Sequence, residues 1–134
     1  MRLVIPKQGL HQIENFDHEA GARELADRGY RVFLLPCGIR DKHTFFEGIR
    51  EVLPLDPPVL SDYSWDALSD SLFTGLDGID AGGIAIIWPG SAEMAKAQPE
   101  DFEIAKSIWS DLTDLLADIK KTVGNVKHVV VILA

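Results

Sequence analysis

Asp66 and Asp70 stand four residues apart in the segment Ser64-Trp65-Asp66-Ala67-Leu68-Ser69-Asp70-Ser71-Leu72. On a helix that spacing puts both carboxylates on one face, roughly opposite Leu68 and Leu72. Like charges so placed repel by roughly a few tenths of a kcal/mol. A helix that tolerates the repulsion either has a plain solvated face or serves a cation from outside. A carboxylate can accept two parallel hydrogen bonds from an arginine, much as a phosphate does. The surroundings sharpen the second reading. From Glu51 to Ala95 there is no Lys or Arg, yet Glu51, Asp56, Asp62, Asp66, Asp70, Asp77, Asp80 and Glu93 all fall there.

Other chemistry is poorly provided for. The histidines are His11, His18, His43 and His128, and no two are spaced as a metal pair on one helix. None belongs to a recognisable triad, and a lone histidine near the end of an element is most often a surface or capping residue. Asp66 and Asp70 alone make a poor cage for a hard cation. Gly82-Gly83 precedes an apolar run, whereas a phosphate-cradling glycine turn should follow a strand. An enzyme, a bound metal and a cofactor are therefore not expected.

Composition agrees with a protein partner. The 134 residues carry a formal net charge of −8, with 46% hydrophobic and 25% charged residues. That length supports one real hydrophobic core. A net negative field opposes direct contact with nucleic acid, which needs Lys and Arg for its phosphates, and it suits a basic partner. The single cysteine, Cys37, excludes an internal disulfide and is expected to be a small buried side chain. No apolar stretch reaches membrane-spanning length, and Leu3-Val4-Ile5 is too short for a signal peptide. The expected location is the cytoplasm.

The elements that must hold the acidic pair follow from the apolar pattern. Leu3-Val4-Ile5, stopped by Pro6, reads as a short strand or a loose arm. His18 to Arg28 reads as a helix with Ala20, Leu25 and Ala26 inward and Gly29 as its stop. Residues 31–36, 83–88 and 128–133 are short, nearly continuous apolar runs, the pattern of strands buried on both faces. Asp41 to Leu53 is predicted as a helix carrying Phe45, Phe46, Ile49, Val52 and Leu53, ended by the prolines that follow. Ser64 caps a helix over Trp65 to Thr74, with Leu68 and Leu72 inward and Trp65 at one edge. Gly75 and the glycines after it mark a loop. The longest helix is expected from Pro99 to Lys121, with Ile104, Ile108, Leu112, Leu115 and Ile119 as its stripe and Trp109 in the core. The fold class is α/β, a small three-stranded parallel sheet packed by helices. Residues 1–30 form an N-terminal extension and 31–134 the main domain.

The Ser64–Leu72 segment resembles the signature helix of the barstar family, which reads Asn-Leu-Asp-Ala-Leu-Trp-Asp-Cys-Leu. Val130-Val131-Ile132-Leu133-Ala134 resembles that family's last strand, and Arg31 to Leu53 fits its first strand and helix. The resemblance implies an intracellular inhibitor of a basic, secreted, barnase-like ribonuclease toxin. Asp66 and Asp70 would enter the enzyme's active site, with Asp70 deepest in the position of a substrate phosphate. Leu60, Asp62, Tyr63, Ser64, Trp65 and Ser69 would line the contact. An acid late in the last helix would join them, Asp118 first and Asp114 as the alternative. The departures are Ser69 where the family motif has Trp, a helix one residue longer before Thr74-Gly75, and a first 30 residues without counterpart in the minimal family. Two other readings stay open. One is an acidic interaction or immunity module for a different partner. The other is a homodimer with Trp88 or Trp109 at its interface.

Overall fold

The computed structural model describes residues 7–134. Leu3-Val4-Ile5 lies outside them. The elements are β1 (Gly9–Gln12), α1 (His18–Asp27), β2 (Arg31–Leu34), α2 (Lys42–Val52), α3 (Trp65–Asp77), β3 (Gly83–Trp88), α4 (Ala92–Ala97), α5 (Pro99–Ala117) and β4 (His128–Leu133). The strands form one sheet in the order β1-β4-β3-β2, and every pairing is parallel.

The sheet has four strands where three are expected. The additional one is β1, in register with β4 from Gly9 opposite Val130 to Gln12 opposite Leu133. Its sequence, Gly-Leu-His-Gln, has no apolar run because it is an edge strand and none of its residues is fully buried. The three expected strands are present, although β2 ends at Leu34, ahead of the predicted residue 36.

Period-two alternation divides the buried side chains between two layers. Ile84, Ile86 and Trp88 of β3 and Val129, Val131 and Leu133 of β4 face a large core with α2, α3 and α5. Ala85, Ile87, Val130 and Ile132 face the other way, onto Leu25 of α1, with Phe16, Tyr30 and Val32 around it. That two-sided cover is why these strands read as unbroken apolar runs.

The helices depart from expectation in instructive ways. In α1 Leu25 and Gly21 are buried, while Ala20 and Ala26 are exposed. Phe16 lies against Gly21 so closely that any Cβ there would overlap its ring. In α5 the buried residues are Ala105, Ile108, Trp109, Leu112, Thr113 and Leu116. Ile104 and Ile119 of the predicted stripe are exposed. The helix is turned so that the large Trp109 indole enters the core against Phe45, 5.8 Å away between ring centres. It ends at Ala117 instead of Lys121, because Asp118 leaves helical geometry and caps the turn that follows. Trp88 and Trp109 are both fully buried, so neither is available for a dimer interface. Cys37 is exposed in the turn after β2, beyond the last buried residue of that run, Leu35.

Candidate protein-binding site

Ser64 accepts a hydrogen bond from the Ala67 N–H at 3.0 Å and so starts α3. Leu68, Leu72 and Leu76 are fully buried along one side of it. Each such burial stabilises by about 1.5–3 kcal/mol, which outweighs the mild repulsion between Asp66 and Asp70 several times over. Both aspartates are exposed, and neither forms an ion pair or side-chain hydrogen bond among the described residues. Asp70 borders a groove of about 300 Å³ completed by Ser69, Phe73, Thr74, Leu115 and Lys121. It also borders a second, of about 440 Å³, on the side of Pro57 to Ser61. The carboxylate therefore stands on a ridge between two concavities.

α3 continues to Asp77, three residues past the predicted end, and takes in Gly75. The glycine serves packing. Pro54 and Leu55 cross the helix there, and a Cβ at Gly75 would collide with the Pro54 carbonyl. Ser71, buried beside it, donates a hydrogen bond to the Pro57 carbonyl, and the Asp56 N–H donates to the Ser71 carbonyl at 3.2 Å. The connection leaving α2 is thus laid along α3 before it turns outward as residues 60–64.

That outward loop is held from beneath by α2. Arg50 donates through Nη2 to Asp62 Oδ1 at 3.0 Å and through Nη1 to the Val59 carbonyl at 3.4 Å. His43 Nδ1 lies 2.6 Å from the other oxygen, Asp62 Oδ2, and its Nε2 contacts Glu47. Lys42 donates to the Tyr63 carbonyl at 3.1 Å, with its ammonium 5.3 Å from the centre of the Trp65 ring. Trp65 is half-buried on Phe46 and Phe45, 5.2 and 6.0 Å away. The side chains left projecting are Leu60 and Tyr63, each 90% exposed.

The two charged partners perturb each other. The hydrogen bond from His43, and then that from Arg50, holds the Asp62 carboxyl below the usual aspartate range. In return Asp62, and then Glu47, pushes the His43 imidazole above its ordinary value. The stretch without cations in the sequence is therefore not without them in space. α2 brings Lys42, His43 and Arg50 under the loop, and Lys121 flanks Asp70 from the far side of α3. Composition hides this. The available signal is the spacing of His43, Glu47 and Arg50, a polar stripe on α2 facing away from Phe45, Phe46 and Ile49.

The structure brings Leu60, Asp62, Tyr63, Ser64, Trp65, Asp66, Ser69 and Asp70 into one continuous stretch of loop and helix. Asp62 differs from the rest because both its oxygens are engaged. Asp118 sits at the C-terminal cap of α5, where Oδ1 accepts from the Lys120 and Lys121 N–H groups at 2.8 and 3.0 Å. Asp114 is exposed on α5. Among the described residues no group of three or more His, Cys, Asp or Glu side chains is arranged to hold a metal ion. No helix there is long and apolar enough to cross a membrane.

Fold and site together define a small α/β protein with an acidic helix face beside a braced, projecting loop. The family model for barstar, the barnase inhibitor, matches residues 31–132, and the chain belongs to the barstar family. Its members are of the inhibitor kind, with barnase-like ribonucleases as the kind of partner. No curated protein and no solved structure matches the chain.

Proposed function

We propose that this protein inhibits a basic ribonuclease toxin by covering its active site with α3 and the loop before it. The observation that carries the reading is the state of Asp66 and Asp70: one turn apart, exposed and without an internal partner. A carboxylate left free at the centre of a surface, with Leu60 and Tyr63 projecting at one side, suits the cationic groups of a ribonuclease cleft. Asp70 meets the enzyme's arginine or histidine side chains in place of a substrate phosphate. Asp66 reinforces the field, and Leu60, Tyr63, Ser64, Trp65 and Ser69 supply the surrounding contact. Asp62 acts from behind by fixing the loop, and the free oxygen of Asp118 contributes at the margin. Residues 31–134 form the inhibitory domain and 1–30 an extension of it. Such an inhibitor works in the cytoplasm as immunity against the toxin and has no catalytic activity of its own.

The test is titration of a barnase-type, guanyl-specific ribonuclease with this protein at low salt, following RNA cleavage. A sharp endpoint at one equivalent supports the reading, and undiminished cleavage at excess inhibitor overturns it for this enzyme class. A second reading has one specific observation in its favour. Ser69 replaces the aromatic residue of the family motif, and Lys121 stands across the groove from Asp70. A surface so altered fits an immunity or interaction module whose basic partner is a different nuclease toxin.

A further inference from the structure

His43 has a carboxylate at each ring nitrogen. Nδ1 is 2.6 Å from Asp62 Oδ2, and Nε2 contacts Glu47 Oε1. A neutral imidazole has one N–H and one lone pair, so it can donate to only one of these acceptors and must turn its lone pair on the other. Only the imidazolium donates to both. The arrangement is therefore built for the protonated ring, whatever the bulk pH favours.

We propose that His43 is a positioning residue for the 60–64 loop, tying Asp62 to α2 through a charge-assisted hydrogen bond when protonated and through a weaker neutral one at most when deprotonated. The inference rests on reading this loop as part of the contact surface, and it adds a regulated element to that surface. Arg50 holds Asp62 Oδ1 in either state, so deprotonation loosens the loop without detaching it. The charged groups around the ring are Asp41 at the N-cap of α2, Lys42, Glu47 and Arg50 on that helix, and Asp62 of the loop. The three carboxylates all favour the cationic ring, with Asp62 the strongest influence. Because the folded value lies above the ordinary imidazole value, the tie is complete below that ordinary value. It is lost as pH rises through the folded one. The state with a neutral ring then leaves Leu60 and Tyr63 on a less ordered loop, which must pay ordering entropy on binding.

The test needs no partner. NMR titration of the His43 ring in the free protein is followed together with the backbone amide order parameters of Tyr63 and Ser64. The expected result is a His43 midpoint above that of an ordinary histidine, lowered in Asp62→Asn. Loop order should fall across the same midpoint and become independent of pH there in His43→Gln. The ring is mostly exposed, so His43→Gln should fold normally. Loop order that is identical on both sides of the midpoint, or a midpoint at or below the ordinary value, overturns the proposal. Failure of the ribonuclease titration would leave these readouts intact, and failure here would leave inhibition intact, so the two can be told apart.

Discussion

Gly75 and Pro54 share a space that holds only one of them with a side chain: the Pro54 carbonyl lies where a Cβ on Gly75 would project. Gly75→Ala therefore forces backbone apart inside the α3 packing. The expected cost is about 1–3 kcal/mol of folding stability, as for other overpacked sites. Urea denaturation measures it. A neutral or stabilising alanine, the usual result for a mid-helix glycine, would show that the crossing relaxes freely.

Asp70→Ala should separate binding from folding. An exposed residue with no internal partner seldom moves stability by more than about 0.5 kcal/mol. At the centre of an interface the same change should weaken inhibition by at least ~2 kcal/mol. Wild type should also associate more slowly as salt rises. Inhibition constants and association rates for both proteins decide the matter, and equal inhibition would remove Asp70 from the site.

Asp62 gives the acid side of the pH dependence. Its carboxyl is depressed in the fold, so its stabilising contribution is complete above the ordinary value of 3.8 and lost as pH falls through the lower folded value. The side chain is about 29% exposed, and solvent screening keeps the contribution within about 1 kcal/mol. The stability difference between wild type and Asp62→Asn should then shrink as the solution is acidified. A difference that stays constant would exclude ionisation of Asp62 as its source.

Lys127 offers a contrast at the other end of α3. Its side chain is 4% exposed, donates to the carbonyl of Asp77 at 2.9 Å and approaches the Asp77 carboxylate at 3.9 Å. Lys127→Met should cost about 1–3 kcal/mol, because the buried acceptors lose their donor. Inhibition per folded molecule should be unchanged. Thermal unfolding with a parallel activity titration tests both halves.

Leu25→Ala probes the extension. Leu25 is fully buried on the face of the sheet away from α3. A loss of about 2–5 kcal/mol is expected if α1 is an integral layer. A loss under about 1 kcal/mol would show that α1 rests on the sheet without supporting it. Chemical denaturation again provides the measurement.

Much of this architecture is legible in the residues alone, for identifiable reasons. Strands β3 and β4 declare themselves because parallel strands buried on both faces must be apolar throughout. β2 is legible from Val32, Phe33 and Leu34, although it is an edge strand with Leu34 exposed, not buried on both faces as expected. Asp66 and Asp70 declare themselves by type and spacing on a helix whose Ser64 cap and leucine stripe are plain. β1 has no such signature, since an edge strand makes its hydrogen bonds with the backbone and needs little apolar content. The end of α3 is misjudged for a different reason. Gly75 normally signals termination, and only the path of Pro54 reveals that it makes room for a neighbour. Cys37 follows an apolar run whose burial stops at Leu35. His43 looks like a stray surface histidine until the loop places Asp62 beside it.

The pairing of Gly9 with Val130 joins segments near opposite ends of the described chain. A contact between residues so distant in sequence requires closure of a very long loop, and such contacts slow folding. β1 has no edge to join until β4 has been made. β1 is therefore synthesised well before the strand it pairs with. During synthesis β1 stays unpaired until β4 emerges, and a chaperone could meet it throughout that interval.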